Sequence, residues 1–190
     1  MTRKIMLIRH GEKPDHYGRE HGLDEHGIED SRGLTVRGWQ RAGALVRYFA
    51  PLQGCFRHPE LDKPSAIFAV KPNTSSQRPL LTAQPLAREL GLSIDARFAS
   101  EEITPLLTAV ALVDGPVLLS WRHSNMVDIA RQLCPEQKPA REWNVDCFDQ
   151  IWAFTEDAGR WTMVCIPQQL LPGDSSIAQQ PTIGTSEILI

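Results

Sequence analysis

Three short apolar runs constrain this chain more than any other feature. They are Ile5-Met6-Leu7-Ile8, Ser65 to Val70 and Gly115 to Trp121. Each is too short for a buried helix, is bounded by polar or turn residues, and lacks the alternation of a strand with one wet face. Continuous apolar strands belong to sheets covered on both sides. A helical pattern lies between or after the runs, so the expected fold is α/β: a three-layer α/β/α sandwich with a central, mostly parallel, mixed sheet. In such sheets ligands bind just beyond the carboxyl ends of the strands. There the first run breaks into Arg9-His10-Gly11-Glu12 and the third into Arg122-His123-Ser124-Asn125, while the second opens a polar loop ending in Ser75, Ser76 and Arg78.

The intervening segments have readable punctuation. Leu34 to Ala50 predicts a helix with Thr35 as N-cap, Pro51 as stop, and a buried stripe of Val36, Trp39, Leu45, Val46 and Phe49. Gly38 costs stability inside it, which implies another backbone packing close by. A second helix runs through Leu81, Leu86 and Leu90 to Gly91, with Pro79 in its first turn and Pro85 as a potential kink. Leu92 to Ile94 suits a short strand. Ser100 is the expected cap of a helix from Ile103 to about Leu112, and Ser124 or Asn125 of one through Leu133. Cys147 to Phe154 and Trp161 to Ile166 flank a Gly-containing loop and predict a hairpin at one edge of the sheet.

The chain has 190 residues, which suits one domain. Residues 1–167 are expected to form it, with 168–190 a Gln-, Ser- and Pro-rich extension without firm structure whose apolar end, Ile188 to Ile190, could dock on the domain. A net charge of −3 argues against a dedicated nucleic-acid partner. No apolar run is long enough to span a bilayer, and Arg9 cuts the first one short, so neither a membrane partner nor a signal peptide is expected. Cys55, Cys134, Cys147 and Cys165 are scattered, form no metal pattern, and read as buried free thiols of a cytoplasmic protein. Lys13 to Gly33 is a long polar loop directly after the first strand end, suited to a lid or recognition role. It carries His16, His21 and His26, whose even spacing fits no familiar zinc pattern.

The chemistry at the strand ends is specific. Arginine offers a planar fork of donors matching a phosphate, and a neutral histidine offers a nucleophilic nitrogen. Arg9 and His10 could therefore hold and attack a phosphoryl group. A loop that feeds a helix, as at Ser75, Ser76 and Arg78, is a natural anion site.

In order along the chain, Arg9-His10-Gly11-Glu12, then Leu34-Thr35 with Gly38 and Arg41-Ala42, then Ser75-Ser76, Arg78 and Thr82-Ala83, then the strand-terminal His123, resemble the histidine phosphatase superfamily, which includes cofactor-dependent phosphoglycerate mutases. The resemblance implies that His10 is transiently phosphorylated, that Arg9, Arg78 and His123 surround the phosphoryl group, and that no metal or other cofactor is needed. It also implies a carboxyl as general acid. Glu102 is the candidate, with Glu101 beside it as the alternative; helix-start acids also have the plainer use of complementing the helix dipole. The chain departs from the family pattern at Trp121-Arg122 before the second histidine, at Ser124-Asn125 after it, and at Pro79 and Leu80. The expected activity is a phosphomonoesterase acting on a small phosphorylated substrate or a phosphoprotein. The alternatives are a mutase-like phosphotransferase and an inactive phospholigand-binding module. Physiological substrate and oligomeric state are not legible.

Overall fold

The computed structural model describes residues 3–15, 17–137 and 143–178. Six strands form one sheet: β1 (Arg3–Arg9), β2 (Ala66–Ala69), β3 (Ile94–Asp95), β4 (Val117–Trp121), β5 (Gln150–Asp157) and β6 (Arg160–Pro167), in the order β3-β2-β4-β1-β5-β6. The first four are parallel; β5 and β6 run antiparallel and close one edge. The helices are α1 (Val36–Phe49), α2 (Arg78–Leu90), α3 (Ile103–Val110) and α4 (His123–Leu133). The mixed sheet between helices is the α/β sandwich expected from the apolar runs.

Strand alternation divides the core. Ile5 and Leu7 of β1 join Leu119, Trp152 and the buried faces of α3 and α4, whereas Met6 and Ile8 join Leu118, Ile67 and the buried faces of α1 and α2. β1 is enclosed on both faces, which is why its sequence is apolar without alternation. The predicted hairpin is present, and Ala158 and Gly159 turn it with positive φ.

Several local expectations shift. Thr35 caps α1 by accepting from Gly38 N–H, but Val36 is exposed, and the buried face is Gly38, Arg41, Ala42, Leu45, Tyr48 and Phe49. The apolar-stripe reading placed Val36 inside because it excluded an arginine from the buried face. α2 passes through Pro85 as one helix and ends on Gly91 in the left-handed region. α3 and α4 lack side-chain caps: their N-cap residues are Glu102 and Arg122. Ser100 instead donates to the Glu101 carboxylate and Ser124 to Asn125 Oδ1. Cys55 is exposed, not buried; all four cysteines are free. Residues 168–174 fold back on the domain: Gln168 is buried and Asp174 is ion-paired. Ile188–Ile190 and the last part of the Gln/Ser/Pro-rich stretch lie outside the described residues, as does His16 of the polar loop.

Candidate active site

The parallel pairing of β1 and β4 brings the two Arg-His segments together. Arg9 is in register with Trp121, and His10 N–H donates to the Trp121 carbonyl at 3.2 Å. The chain leaving β2 emerges at the same edge of the sheet, delivering Ser76 and Arg78 at the start of α2. Gly11 N–H donates to Thr82 Oγ1 at 2.8 Å, tying the turn after His10 to α2. A Cβ on Gly11 would stand 2.9 Å from the Gly38 carbonyl oxygen, and one on Gly38 would stand 2.6 Å from that of Glu12. The site turn therefore lies directly on the first turn of α1, the close approach that Gly38 implied.

His10 is 4% exposed. Its Nδ1 lies 2.8 Å from the carbonyl oxygen of Gly11, which can only accept, so Nδ1 carries the proton and Nε2 carries the lone pair. Burial, with smaller contributions from the charges of Arg9, Arg78 and His123, pushes its pKa down to about 3, against the pull of the Gly11 carbonyl. The imidazole is thus neutral at ordinary pH and oriented, as a nitrogen nucleophile requires.

Arg9 is fully buried. Its Nη1 donates to the carbonyls of Val145 at 2.5 Å and Cys147 at 2.9 Å, and its guanidinium lies 3.7 Å over the Phe148 ring. Burial lowers its pKa to about 10 despite nearby acidic groups. Arg78 Nη1 donates to Ser31 O at 3.0 Å and Nη2 to Ser75 O at 3.3 Å, so the long loop after β1 touches the site through this residue. His123 is half-buried, and burial together with Arg9, Lys13 and Arg122 lowers its pKa. Four buried polar atoms of this group have no hydrogen-bond partner among the described residues: Arg9 Nε and Nη2, Arg78 Nε and His123 Nδ1. Buried donors without acceptors are costly, and guanidinium donors converging with imidazoles fit a phosphoryl oxygen cluster.

The carboxyl candidates stand at the start of α3, on a segment held by Trp121, whose indole N–H donates to the Ser100 carbonyl at 3.0 Å. Glu102 accepts from Ala99 N–H at 2.7 Å and is exposed. Glu101, also exposed, is stabilised as the carboxylate by its own backbone N–H, the Ser100 hydroxyl and the Arg122 charge, which lowers its pKa. Neither is among the main charges acting on His10 or His123. Beside His123 a cleft of about 260 Å³ is lined by Val127, Trp143 and Val145 among others. His21 pairs with Glu29, and no three potential metal ligands cluster among the described residues.

Sequence reading gave no task to a network just behind the site. Arg41, 1% exposed, pairs with Glu12 and Asp174, each at 2.8 Å, and donates to Gln168 Oε1. Arg37 joins the same two carboxylates. The one signal in the sequence was an arginine on the inward face of an otherwise apolar helix; Asp174, far along the chain, carried none. The turn at 144–148 that holds Arg9 was equally silent, because it contributes carbonyls rather than side chains.

No protein-family model matches the chain, and no curated protein matches it by sequence. Solved structures do match. A mycobacterial glucosyl-3-phosphoglycerate phosphatase superposes with a TM-score of 0.55 at 12% identity, covering 86% of this chain and 97% of that one. A phosphoglycerate mutase from Bacillus anthracis str. Sterne gives 0.54 at 11% identity, covering 86% and 92%. A phosphoserine phosphatase from Entamoeba histolytica gives 0.53 at 13% identity, covering 89% and 99%. These neighbours are phosphatases and mutases. At such identity the likeness is one of architecture: the chain has the phosphoglycerate mutase-like α/β fold of these neighbours.

Proposed function

We propose that the chain is a phosphomonoesterase working through a phosphohistidine on His10. The observation that carries this reading is the fixed tautomer of His10: Nδ1 is occupied by Gly11 O, leaving Nε2 as a lone pair among cations with unused donors. A bound phosphomonoester places its phosphoryl oxygens on Arg9, Arg78 and His123. Nε2 attacks phosphorus in line; the N–P bond forms as the bond to the leaving oxygen breaks. Charge spreading over the phosphoryl oxygens meets the guanidiniums, which act mainly by positioning and electrostatics. The Nδ1 proton stays hydrogen-bonded to Gly11 O while the ring carries the phosphoryl group.

The leaving oxygen takes a proton from a carboxyl at the start of α3. Glu102 is assigned as that donor; Glu101 is held towards its ionised form. The same carboxylate then takes a proton from water, which attacks phosphorus, releases inorganic phosphate and restores neutral His10. Both half-reactions balance without an external reductant or oxidant.

The test is release of inorganic phosphate from a panel of phosphoesters in EDTA, wild type against His10→Ala, with alkali-quenched protein probed for the acid-labile phosphohistidine. Release that survives EDTA and vanishes in His10→Ala, with label on His10, is the expected result. A folded wild type that releases no phosphate from any ester overturns the phosphatase reading. Glu102→Gln should slow turnover of poor leaving groups more than good ones, whereas equal slowing argues against Glu102 as the acid.

A further inference from the structure

We propose that the substrate carries a second anionic group, a carboxylate or a further phosphate, held by Arg122 with help from Lys13. This rests on the reading of Arg9, His10, Arg78 and His123 as the phosphoryl site. It assigns a binding role to the Arg122 departure from the family pattern.

The geometry is built on the turn between β2 and α2. Asn73 Oδ1 accepts from Ser75 N–H, Ser75 Oγ and Ser76 N–H, so this side chain organises the turn from within. Arg122 Nη2 donates to the same Asn73 oxygen at 3.2 Å, and Arg78 Nη2 donates to the Ser75 carbonyl at 3.3 Å. Two guanidiniums from different elements are thus fastened to one four-residue turn, and Arg122 is the residue directly before His123. Arg122 is half-buried and has no carboxylate within ion-pair distance among the described residues. Lys13, on the chain just past Glu12, is half-buried and also lacks such a partner among the described residues.

The electrostatics agree. The charge of Arg122 acts on both Arg78 and His123, and that of Lys13 acts on His123. Like charges gathered around His123 repel unless an anion joins them, and they raise the local concentration of anionic ligands. A phosphoryl group bound by Arg9, Arg78 and His123 answers the inner cations only. Arg122, directly before His123 in the chain, and Lys13, whose charge acts on His123, add cations next to that group. Arg122 already acts on the exposed Glu101 carboxylate, but neither it nor Lys13 has an ion-pair partner among the described residues; a carboxylate or second phosphate would meet a guanidinium fork held by Asn73.

The experiment compares three esters on one three-carbon chain: propyl phosphate, 3-(phosphonooxy)propanoate and propane-1,3-diyl bisphosphate. For the wild type, kcat/KM for at least one of the two charged esters should exceed that for propyl phosphate by roughly tenfold or more, the worth of one charge-assisted hydrogen bond. Which of the two is preferred separates a carboxylate from a second phosphate. In Arg122→Gln the ratio of charged to uncharged ester should fall towards one, Arg122→Lys should keep part of it, and Lys13→Gln should lose a smaller part. No preference in the wild type, or a preference untouched by Arg122→Gln, overturns the proposal. If the folded wild type turns over none of the three, the phosphatase reading is judged separately on the full ester panel. Calorimetric binding of the same esters then decides the present point: tighter binding of a charged ester, lost in Arg122→Gln, supports it, and equal affinities refute it.

Discussion

Arg9 and Arg41 are both buried guanidiniums on either side of the Gly11-Glu12 turn, yet they are provided for in opposite ways. Arg41 meets two carboxylates and an amide oxygen; burial would loosen its proton, but Asp174 and Glu12 more than compensate and raise its pKa. Arg9 meets backbone carbonyls and a ring face on one side only, and burial lowers its pKa to about 10. A buried cation with internal anions is structural capital, whereas one with unused donors is prepared for an anion from outside. The pairing pattern, rather than residue type or burial, separates scaffold from site.

Matched substitutions can break that contrast. Arg9→Met should cut kcat/KM by roughly 100-fold or more, by analogy with loss of one transition-state donor, and leave thermal stability little changed. A large drop in Tm would place Arg9 with the scaffold. Arg41→Met strands two buried carboxylates and should cost about 3–5 kcal/mol in denaturant unfolding; a loss below about 1 kcal/mol would show that Arg37 and solvent suffice for them.

Asp174→Asn removes one charge from the network and should cost about 1–3 kcal/mol. Burial alone would raise the Asp174 pKa, but hydrogen bonds from Arg41 and from the Leu171 and Leu170 N–H groups lower it. The wild type therefore has this stabilisation in full above the unfolded carboxyl value, near pH 4, and loses it as pH falls through the lower folded value. In the variant that part of the acid-side slope should flatten; an unchanged slope would assign the acid sensitivity elsewhere.

The smallest effect is spectroscopic. Because the His10 pKa is depressed to about 3, its ring signals should not titrate between about pH 5 and 8. The sign also holds for stability: the advantage of burying a neutral imidazole is complete above the ordinary histidine pKa and erodes as pH falls towards the folded value. Inorganic phosphate, by adding negative charge beside the ring, should shift the midpoint upward. A midpoint near 6.5 in the free protein would mean that His10 is more open to water than its burial indicates.

What the sequence disclosed follows from the same contrast. Apolar runs, the Arg-His strand ends, Gly38 and the Gly91 stop are local signals, since each residue type answers to its own backbone or its own face of the sheet. The Arg41–Asp174 pairing and the carbonyls of the 144–148 turn are products of tertiary closure, joining residues more than 100 positions apart in the Arg41–Asp174 case. Val36 was misplaced for a related reason: a stripe drawn from apolar residues alone has no room for a buried, paired arginine. The carboxyls at Glu101 and Glu102 had an adequate structural use in the sequence, and the folded chain gives both of them local hydrogen bonds.

The pairing of β1 carries a consequence for how such a chain can drift. His10 is located by main-chain bonds, to β4 on one side and, through the strand, to β5 on the other. Those bonds are indifferent to which apolar letters occupy positions 5–8 but not to how many there are. Replacing one aliphatic residue by another leaves His10 where it is; deleting one would turn Arg9 and His10 each to the opposite face and separate both from their present partners. Inheritance here acts on a count, and a count can persist long after the letters have changed.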